Sequence, residues 1–241
     1  MKHYEKLLIL FFSLTIVLPC CGLYAQQQGI DRNPYHLDLI QTTEAYRKQI
    51  QQNPKMEMLD MKKAIPDLVL DIRYATANNF TGKIIYEAPK AFARKAVVAA
   101  LRKVQDSLAS YHYGLKIYDA YRPYAASLKF YEVYPDTNFV ANPRYGSRHN
   151  RGCAIDLSLV VLKSGKDLPM PTAYDDFTEK ANPTYAALPA DVLANRKLLF
   201  GIMSHFGFTH FATEWWHFDY SGWENYKLMD LTFEELEKAH Q

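Results

Sequence analysis

The chain has 241 residues, 49% of them hydrophobic, which is enough to bury a sizeable core in a single domain. Its 28 basic residues nearly balance its 26 acidic residues, and neither sign forms a long run. This composition argues against a nucleic-acid-binding protein or one held to a membrane surface by charge, and it favours a small neutral or zwitterionic partner.

Residues 1–25 have the pattern of a secretory signal peptide. Lys2 and Lys6 precede an apolar run from Leu7 to Leu18 that is too short to span a membrane, and cleavage is expected after Ala25. We therefore predict an exported protein, periplasmic or extracellular, whose mature chain is still nearly neutral. A buried N-terminal helix is the alternative, but the run shows no polar face.

The three cysteines carry information about anchoring and redox chemistry. Cys20 and Cys21 leave lipid attachment open as an alternative, but the residues before them are not the small residue usual before a lipidated cysteine, so this alternative is less favoured. Signal cleavage leaves Cys153 alone, without a disulfide framework or a zinc-type cysteine spacing. Small neighbours and a following apolar strand predict that Cys153 is a buried side chain rather than a nucleophile.

Residues 26–55 are polar and rich in amides, and we predict that they form an N-terminal extension with a short helix over 39–51. The compact domain, residues 56–241, contains segments whose apolar residues follow strand or helix periodicity. In chain order they predict a strand over 68–72, a helix over 94–110, a strand over 115–118, a helix over 125–134, a strand over 154–162, a helix over 191–206, a strand-like stretch over 208–220 and a C-terminal helix.

Two helix ends carry strong local signals. Gly207 follows the helix over 191–206 at the position where a left-handed residue commonly ends a helix. Thr232 and Glu235 have the spacing of a capping box, which predicts that the C-terminal helix begins at Thr232.

The stretch SRHNRGCAID contains two candidate metal ligands. Asp156 shares its strand face with Ser158, opposite the main apolar row, and His149 lies before the turn. Gly152 could let that turn bring the imidazole back over the carboxylate, an arrangement that suits a metal ion. On these residues alone, a hydrogen-bonded histidine–aspartate pair is the commoner interpretation.

A second motif, EWWH, adds a third candidate ligand and a base. Zinc hydrolases need three protein ligands, an open coordination position and a carboxylate that takes a proton from water. His217 is the third ligand in this interpretation and Glu214 the base, and we predict a turn or bulge between them. The alternative makes them a surface pair beside Trp215 and Trp216, of which at least one should pack in either case.

Other polar residues have plainer interpretations. His205 falls within a predicted helix and His210 outside both motifs, so neither is favoured as a ligand. Arg122 lies just after the strand over 115–118, where Pro123 restricts it to an extended or turn conformation. Without other information, a salt-bridging surface arginine is the simpler role.

Taken together, SRHNRGCAID and EWWH resemble the D-alanyl-D-alanine dipeptidases, the VanX-type branch of the zinc D,D-peptidases. DIRYAT, NFTG and YDAYRP match the family in the same order, and the resemblance covers about residues 56–220. It implies an α+β fold of the zinc D,D-peptidase and hedgehog type, with a mostly antiparallel sheet flanked by helices. It also implies Zn²⁺ as cofactor.

The resemblance assigns a role to five residues. It implies that His149, Asp156 and His217 hold zinc, that Glu214 is the general acid/base and that Arg122 assists the transition state. The signal peptide and the extra residues up to about Pro54 depart from the family pattern. They bear on the compartment and physiological role rather than on the chemistry.

Three functions remain open from the sequence. The first is a zinc dipeptidase acting on D-Ala-D-Ala or similar dipeptides, whose closed pocket would recognise the substrate ammonium group. The second is a D,D-carboxypeptidase that trims longer peptidoglycan peptides in an open cleft. The third is a non-enzymatic metal-stabilised binding module of the hedgehog type, against which Glu214 argues because a structural site needs no base. The sequence does not indicate an oligomeric state.

Overall fold

A computed structural model of the chain describes residues 32–240. The predicted signal peptide, residues 1–25, lies outside the described residues. Within the described range, no helix combines the length and apolar character that a membrane span requires.

The described residues contain strands and helices in an alternating order. The nine strands are β1 (Leu39–Ile40), β2 (Met58–Asp60), β3 (Val69–Leu70), β4 (Phe92–Arg94), β5 (Tyr113–Asp119), β6 (Ala154–Val161), β7 (Phe208–His210), β8 (His217–Tyr220) and β9 (Leu228–Met229). The six α-helices are α1 (Thr43–Gln52), α2 (Met61–Ala64), α3 (Lys95–Ala109), α4 (Tyr124–Val133), α5 (Ala190–His205) and α6 (Phe233–Ala239).

A five-stranded sheet forms the centre of the fold, in the order β3-β5-β6-β8-β7. The β3–β5 pair is parallel, and the other three pairs are antiparallel. Helix α3 packs against β5, while α5 packs against β6 and β7. The predicted α+β class with a mostly antiparallel sheet flanked by helices is therefore confirmed.

Strand β6 lies in the middle of this sheet and is buried on both faces except at its last residue. Its register places Asp156 opposite Asp119 on β5 and opposite His217 on β8. Three polar residues thus lie side by side across three strands, at the end where β6 begins. The sheet brings together residues that are far apart in the sequence.

Residues of the predicted N-terminal extension pack into the same compact unit, which runs from Arg32 onward. Strand β1 pairs in parallel with β9. The Tyr46 side chain is fully buried, and its hydroxyl accepts a hydrogen bond from the backbone N–H of Met58 at 2.7 Å. Arg47 donates to the backbone carbonyls of Lys238 and Ala239 at the end of α6.

The helix predictions for 94–110, 125–134 and 191–206 are confirmed to within about one residue at each end. The C-terminal helix begins after Thr232 with the predicted capping box. Gly207 takes the left-handed conformation expected after a helix, with φ of 86°.

Three predicted elements differ in extent. The helix predicted over 39–51 begins only at Thr43, because Thr42 caps it and Leu39–Ile40 pair as a strand. The strand over 68–72 shortens to Val69–Leu70, since the backbone turns over Arg73–Ala75. The stretch over 208–220 forms β7 and β8 around a loop.

Candidate active site

Three side chains meet at the start of β6. His149 Nε2 lies 3.2 Å from His217 Nδ1. Asp156 Oδ1 lies 3.4 Å from the first of these nitrogens and 3.0 Å from the second. All three residues are buried, with 3%, 8% and 3% of their surface exposed for His149, His217 and Asp156.

These three atoms fit the ligand set of a zinc ion. Zinc–nitrogen and zinc–oxygen bonds of about 2.0–2.2 Å in a tetrahedron put neighbouring ligand atoms roughly 3.3 Å apart. Asp156 Oδ1 is buried and makes no hydrogen bond, since the 3.0 Å contact with His217 lacks hydrogen-bond geometry. Buried oxygens of this kind are rare unless they serve an ion or a ligand. Among the described residues this is the one cluster of three or more histidine, cysteine or acidic groups with metal-site spacing.

The other polar atom of each ligand is held by the protein. His149 Nδ1 lies 2.7 Å from the Ala120 carbonyl, and His217 Nε2 lies 3.0 Å from Asp219 Oδ1. Tyr174 donates its hydroxyl to Asp156 Oδ2 at 2.9 Å. Such contacts fix which nitrogen of a histidine faces the metal. In this arrangement Nε2 of His149 and Nδ1 of His217 are the nitrogens that face Asp156 Oδ1.

The turn at Gly152 places His149 over the sheet. Gly152 has φ of 70°, a left-handed conformation that glycine adopts without strain. A Cβ atom there would lie 2.6 Å from Met58 Cε. The His149 carbonyl also accepts from the Arg122 backbone N–H at 3.1 Å, which ties this turn to the YRP segment.

Glu214 lies in the loop between β7 and β8. The backbone turns between Glu214 and His217, and the His217 N–H lies 3.4 Å from the Glu214 carbonyl oxygen. The turn predicted between them is therefore confirmed. Both tryptophans are 1% exposed, and Trp215 anchors the loop by donating Nε1–H to Thr172 Oγ1.

The carboxylate of Glu214 approaches the metal cluster without belonging to it. Its Oε2 lies 3.8 Å from His217 Nδ1, and it makes no hydrogen bond within the described part of the chain. Burial raises the pKa of Glu214 to about 8 in the metal-free protein. A nearby divalent cation favours the ionised form and so counteracts this rise.

Arg122 is buried rather than at the surface. Its Nε and Nη2 both donate to Asp119 Oδ2, at 3.0 and 2.8 Å, and its guanidinium lies over the rings of Phe130 and Tyr74. Burial alone would lower its pKa, but Asp119 holds the pKa of Arg122 well above its ordinary value. Its Nη1 makes no hydrogen bond within the described residues.

The charges of the metal-free cluster are mutually dependent. Burial would raise the pKa of Asp156, but the two histidines hold it well below its usual range. Burial lowers the pKa of His217, whereas the negative charges of the adjacent Asp156 and Asp219 raise it, with a net rise to about 10. A proton therefore occupies this site readily when no metal is bound.

The metal cluster, Glu214 and Arg122 line one cavity of about 320 Å³, a volume within the range of small-ligand sites. One wall is aromatic, with Phe80, Phe130 and Phe177 in edge contacts. The predicted site residues His149, Asp156, His217, Glu214 and Arg122 all contribute to its lining.

Sequence reasoning missed Asp175, which lines the same cavity. Tyr74 donates to its Oδ1 at 3.1 Å, but its Oδ2 is buried without a hydrogen bond. Burial raises the pKa of Asp175 to about 7. It lies in an irregular loop with φ of 60°, and neither its conformation nor its position has a periodic signal in the sequence.

Cys153, His205 and His210, which the sequence did not favour as site residues, lie outside the metal cluster. Cys153 is fully buried, and burial raises the pKa of its thiol to about 12, as expected for a packing residue. His210 is exposed and stacks on Phe200, and His205 is exposed beside Phe206. Neither histidine belongs to the metal cluster.

The family model and the curated relatives that match this chain carry the same description. The family described as D-ala-D-ala dipeptidase, Peptidase_M15, matches residues 54–237. The D-alanyl-D-alanine dipeptidase of Escherichia coli (strain K12) is 35% identical over 173 residues, which cover 72% of this chain and 89% of the relative. A protein of the same name from Enterococcus faecalis (strain ATCC 700802 / V583) is 33% identical over 180 residues, covering 66% and 85%.

Among solved structures, the chain is similar to the vancomycin resistance D,D-dipeptidase VanXYg in complex with a D-Ala-D-Ala phosphinate analogue. The two are 18% identical with a TM-score of 0.37, over 75% of this chain and 74% of the other. The family relationship rests on the sequence matches.

Proposed function

This chain belongs to the D-ala-D-ala dipeptidase family of metallopeptidases, and we propose that it hydrolyses D-Ala-D-Ala and similar D,D-dipeptides with zinc as cofactor. The observation that carries this proposal is the convergence of three ligand atoms, one unligated carboxylate and one buried guanidinium on a single cavity. A purely structural metal site needs neither the unligated carboxylate nor the buried guanidinium.

The proposed zinc ligands are His149 Nε2, Asp156 Oδ1 and His217 Nδ1. Zinc bound there supplies a Lewis acid that polarises the peptide carbonyl and makes water more acidic. An aspartate in place of a third histidine leaves less positive charge at the site.

Glu214 is the proposed general acid/base. Its carboxylate lies near the ligands, lines the cavity and has no hydrogen-bond partner in the described chain, so it is free to accept a proton from the attacking water. It then returns that proton to the amine of the leaving D-alanine. Burial raises the pKa of Glu214, which favours uptake of the proton from water, and the more basic leaving amine then accepts it.

Arg122 is the proposed stabiliser of the transition state. Asp119 holds its guanidinium in place through Nε and Nη2, while Nη1 remains free on a cavity-lining residue. It therefore offers a fixed donor to the carbonyl oxygen as negative charge develops. Loss of one such donor typically raises the barrier by about 2.7–4 kcal/mol.

Asp175 supports a dipeptide rather than a longer substrate. A free dipeptide carries an ammonium group one residue from the scissile bond, whereas a longer peptide has a neutral amide there. The buried Asp175 Oδ2 has no hydrogen bond and so offers an anionic partner for that ammonium group. An amide in its place would leave the carboxylate buried and unpaired.

The test is a comparison of substrates with zinc-loaded protein. We expect release of D-alanine from D-Ala-D-Ala to be much faster than from N-acetyl-D-Ala-D-Ala or from a longer peptide with the same ending. Glu214→Gln should abolish turnover while one zinc per chain remains, because Glu214 acts on water and not on the metal. His149→Ala with His217→Ala should lose the zinc.

Other results of this substrate comparison would favour the two alternative functions. Faster cleavage of the longer peptide would favour a D,D-carboxypeptidase. Absence of turnover by zinc-loaded wild type would favour a binding module. Stoichiometry that stays near one zinc after both histidines are replaced would contradict the ligand assignment.

A further inference from the structure

Three charged cavity residues lie outside the proposed metal site, base and oxyanion donor: Asp175, Arg148 and Arg151. Asp175 is the proposed partner of the substrate ammonium group. Arg151 is engaged, since its Nη1 donates to the Tyr226 carbonyl. The Arg148 side chain makes no hydrogen bond within the described part of the chain, so its charge is available to a ligand.

Aromatic rings and one carboxylate hold Arg148 in position. Its guanidinium lies over the ring of Trp223 at 4.8 Å and over that of Phe211 at 5.9 Å. Its ion contact, from Nε to Asp219 Oδ2, is 3.5 Å long. With 37% of the side chain exposed, this contact contributes little energy by itself. The two terminal nitrogens of the guanidinium remain uncommitted.

Arg148 and Asp175 are connected to the proposed site through different residues. Asp219 contacts Arg148 with one oxygen and His217 Nε2 with the other, which places Arg148 beside the His217 ligand. Asp175 instead bonds to Tyr74, whose ring lies next to Arg122. A cation and an anion thus line the same cavity as the proposed ligands.

A D,D-dipeptide is a zwitterion with the scissile bond between its two charged ends. Resting on the proposed function, we propose that Arg148 binds the terminal carboxylate of the substrate, while Asp175 takes the ammonium group at the other end. A guanidinium with two free terminal nitrogens matches a carboxylate in a bidentate pair. Arg148 therefore makes the enzyme selective for substrates with a free C-terminal acid.

The experiment compares D-Ala-D-Ala with D-Ala-D-alaninamide, which lacks only the carboxylate charge. We expect wild-type kcat/KM to be at least about tenfold higher for the acid. Arg148→Ala should lower kcat/KM for the acid on the order of tenfold to hundredfold, mainly through KM, and change it for the amide by less than about twofold. Arg148→Lys should recover part of the preference for the acid over the amide, since lysine keeps the positive charge but cannot form the bidentate pair.

Arg144→Ala is the matched control, because Arg144 is an exposed arginine over Tyr35 that does not line the cavity. It should leave both substrates unchanged. An equal loss for acid and amide in Arg148→Ala would mean that Arg148 acts only by supporting Asp219 and His217, and would overturn the assignment. An unchanged preference would overturn it as well. If wild type cleaves neither substrate, the proposed function itself fails, and this role fails with it.

Discussion

At Asp156, three acceptor atoms face one another when each neutral histidine keeps its proton on the outer nitrogen. The Ala120 carbonyl holds the proton of His149 on Nδ1, and Asp219 holds that of His217 on Nε2, so the nitrogens facing Asp156 Oδ1 are acceptors. Three facing acceptors repel one another unless a cation lies among them. In the metal-free protein a proton fills this role, which is why the pKa of His217 rises to about 10. Protons and zinc therefore compete, and acid weakens metal binding.

Glu214 should destabilise the metal-free protein at high pH. Its pKa is 4.5 in the unfolded chain and about 8 when buried, so between these values the unfolded state loses a proton that the folded state keeps. The free energy of unfolding therefore falls as pH rises through this window. Glu214→Gln removes the titrating group. Above pH 8 it should stabilise the chelator-treated protein relative to wild type by on the order of a few kcal/mol.

Urea unfolding at several pH values measures this effect. Below the lower pKa both proteins carry a neutral side chain, so the difference between them should be small there and grow as pH rises. A difference that stays constant with pH would show that Glu214 is already ionised in the metal-free fold.

At the scale of elements, the register of three strands builds the site. Asp119, Asp156 and His217 occupy facing positions on β5, β6 and β8, with an irregularity in β5 just before Asp119. Their contributions differ, because Asp119 holds Arg122 while Asp156 and His217 belong to the proposed metal site. The turns that carry His149 and Glu214 lie directly against this sheet end. A one-residue slip of β8 would turn His217 away from Asp156.

Gly152→Ala tests the turn that carries His149. The alanine would need a left-handed backbone, and its Cβ would meet the side chain of Met58. We expect a loss of about 1–3 kcal/mol in unfolding free energy, from strain and from displacement of the turn. Zinc affinity should fall as well, because His149 moves with the turn. Denaturant unfolding and metal titration measure the two effects.

Gly165→Ala is the matched control. Gly165 also has a left-handed backbone, with φ of 66°, but a Cβ there would meet nothing closer than 3.9 Å. It should show backbone strain of about 1 kcal/mol and unchanged zinc affinity. Equal zinc affinity in both variants would contradict the role of Gly152 in placing His149.

At the scale of the whole molecule, the N-terminal segment is tied through Asp230 to the start of α4, next to Arg122. Arg32 binds the buried Asp230, whose other oxygen accepts the Ala125 N–H at the start of α4. Helix α4 follows directly on Arg122. The Tyr121 hydroxyl bonds to the backbone of Leu231 in the same region. A segment that is polar in sequence thus belongs to the fold.

We propose that the protein is exported, on the basis of residues 1–25. Protein purified from its native cells should begin near Gln26 and fractionate outside the cytoplasm, as amino-terminal sequencing would establish. A variant that lacks residues 2–25 should stay in the cytoplasm. An intact N-terminus on cytoplasmic protein would overturn the proposal.

The sequence by itself predicted four of the helices closely and supplied the candidate site residues. Apolar periodicity placed α3, α4 and α5, and the capping box placed α6, because these signals act over a few neighbouring residues. The two motifs supplied His149, Asp156, His217 and Glu214 as candidates, since zinc hydrolysis requires those residue types, and the family resemblance added Arg122.

Tertiary structure decided what depends on contacts between distant segments. The short strands β1 and β3 form because of their partners β9 and β5, which local pattern does not reveal. Arg122 is buried because Asp119 neutralises it, although an isolated arginine favours the surface. Asp175 and Arg148 gain their proposed roles only from the cavity they line. Periodicity reports which face of an element is buried, whereas a site depends on which side chains from different elements meet.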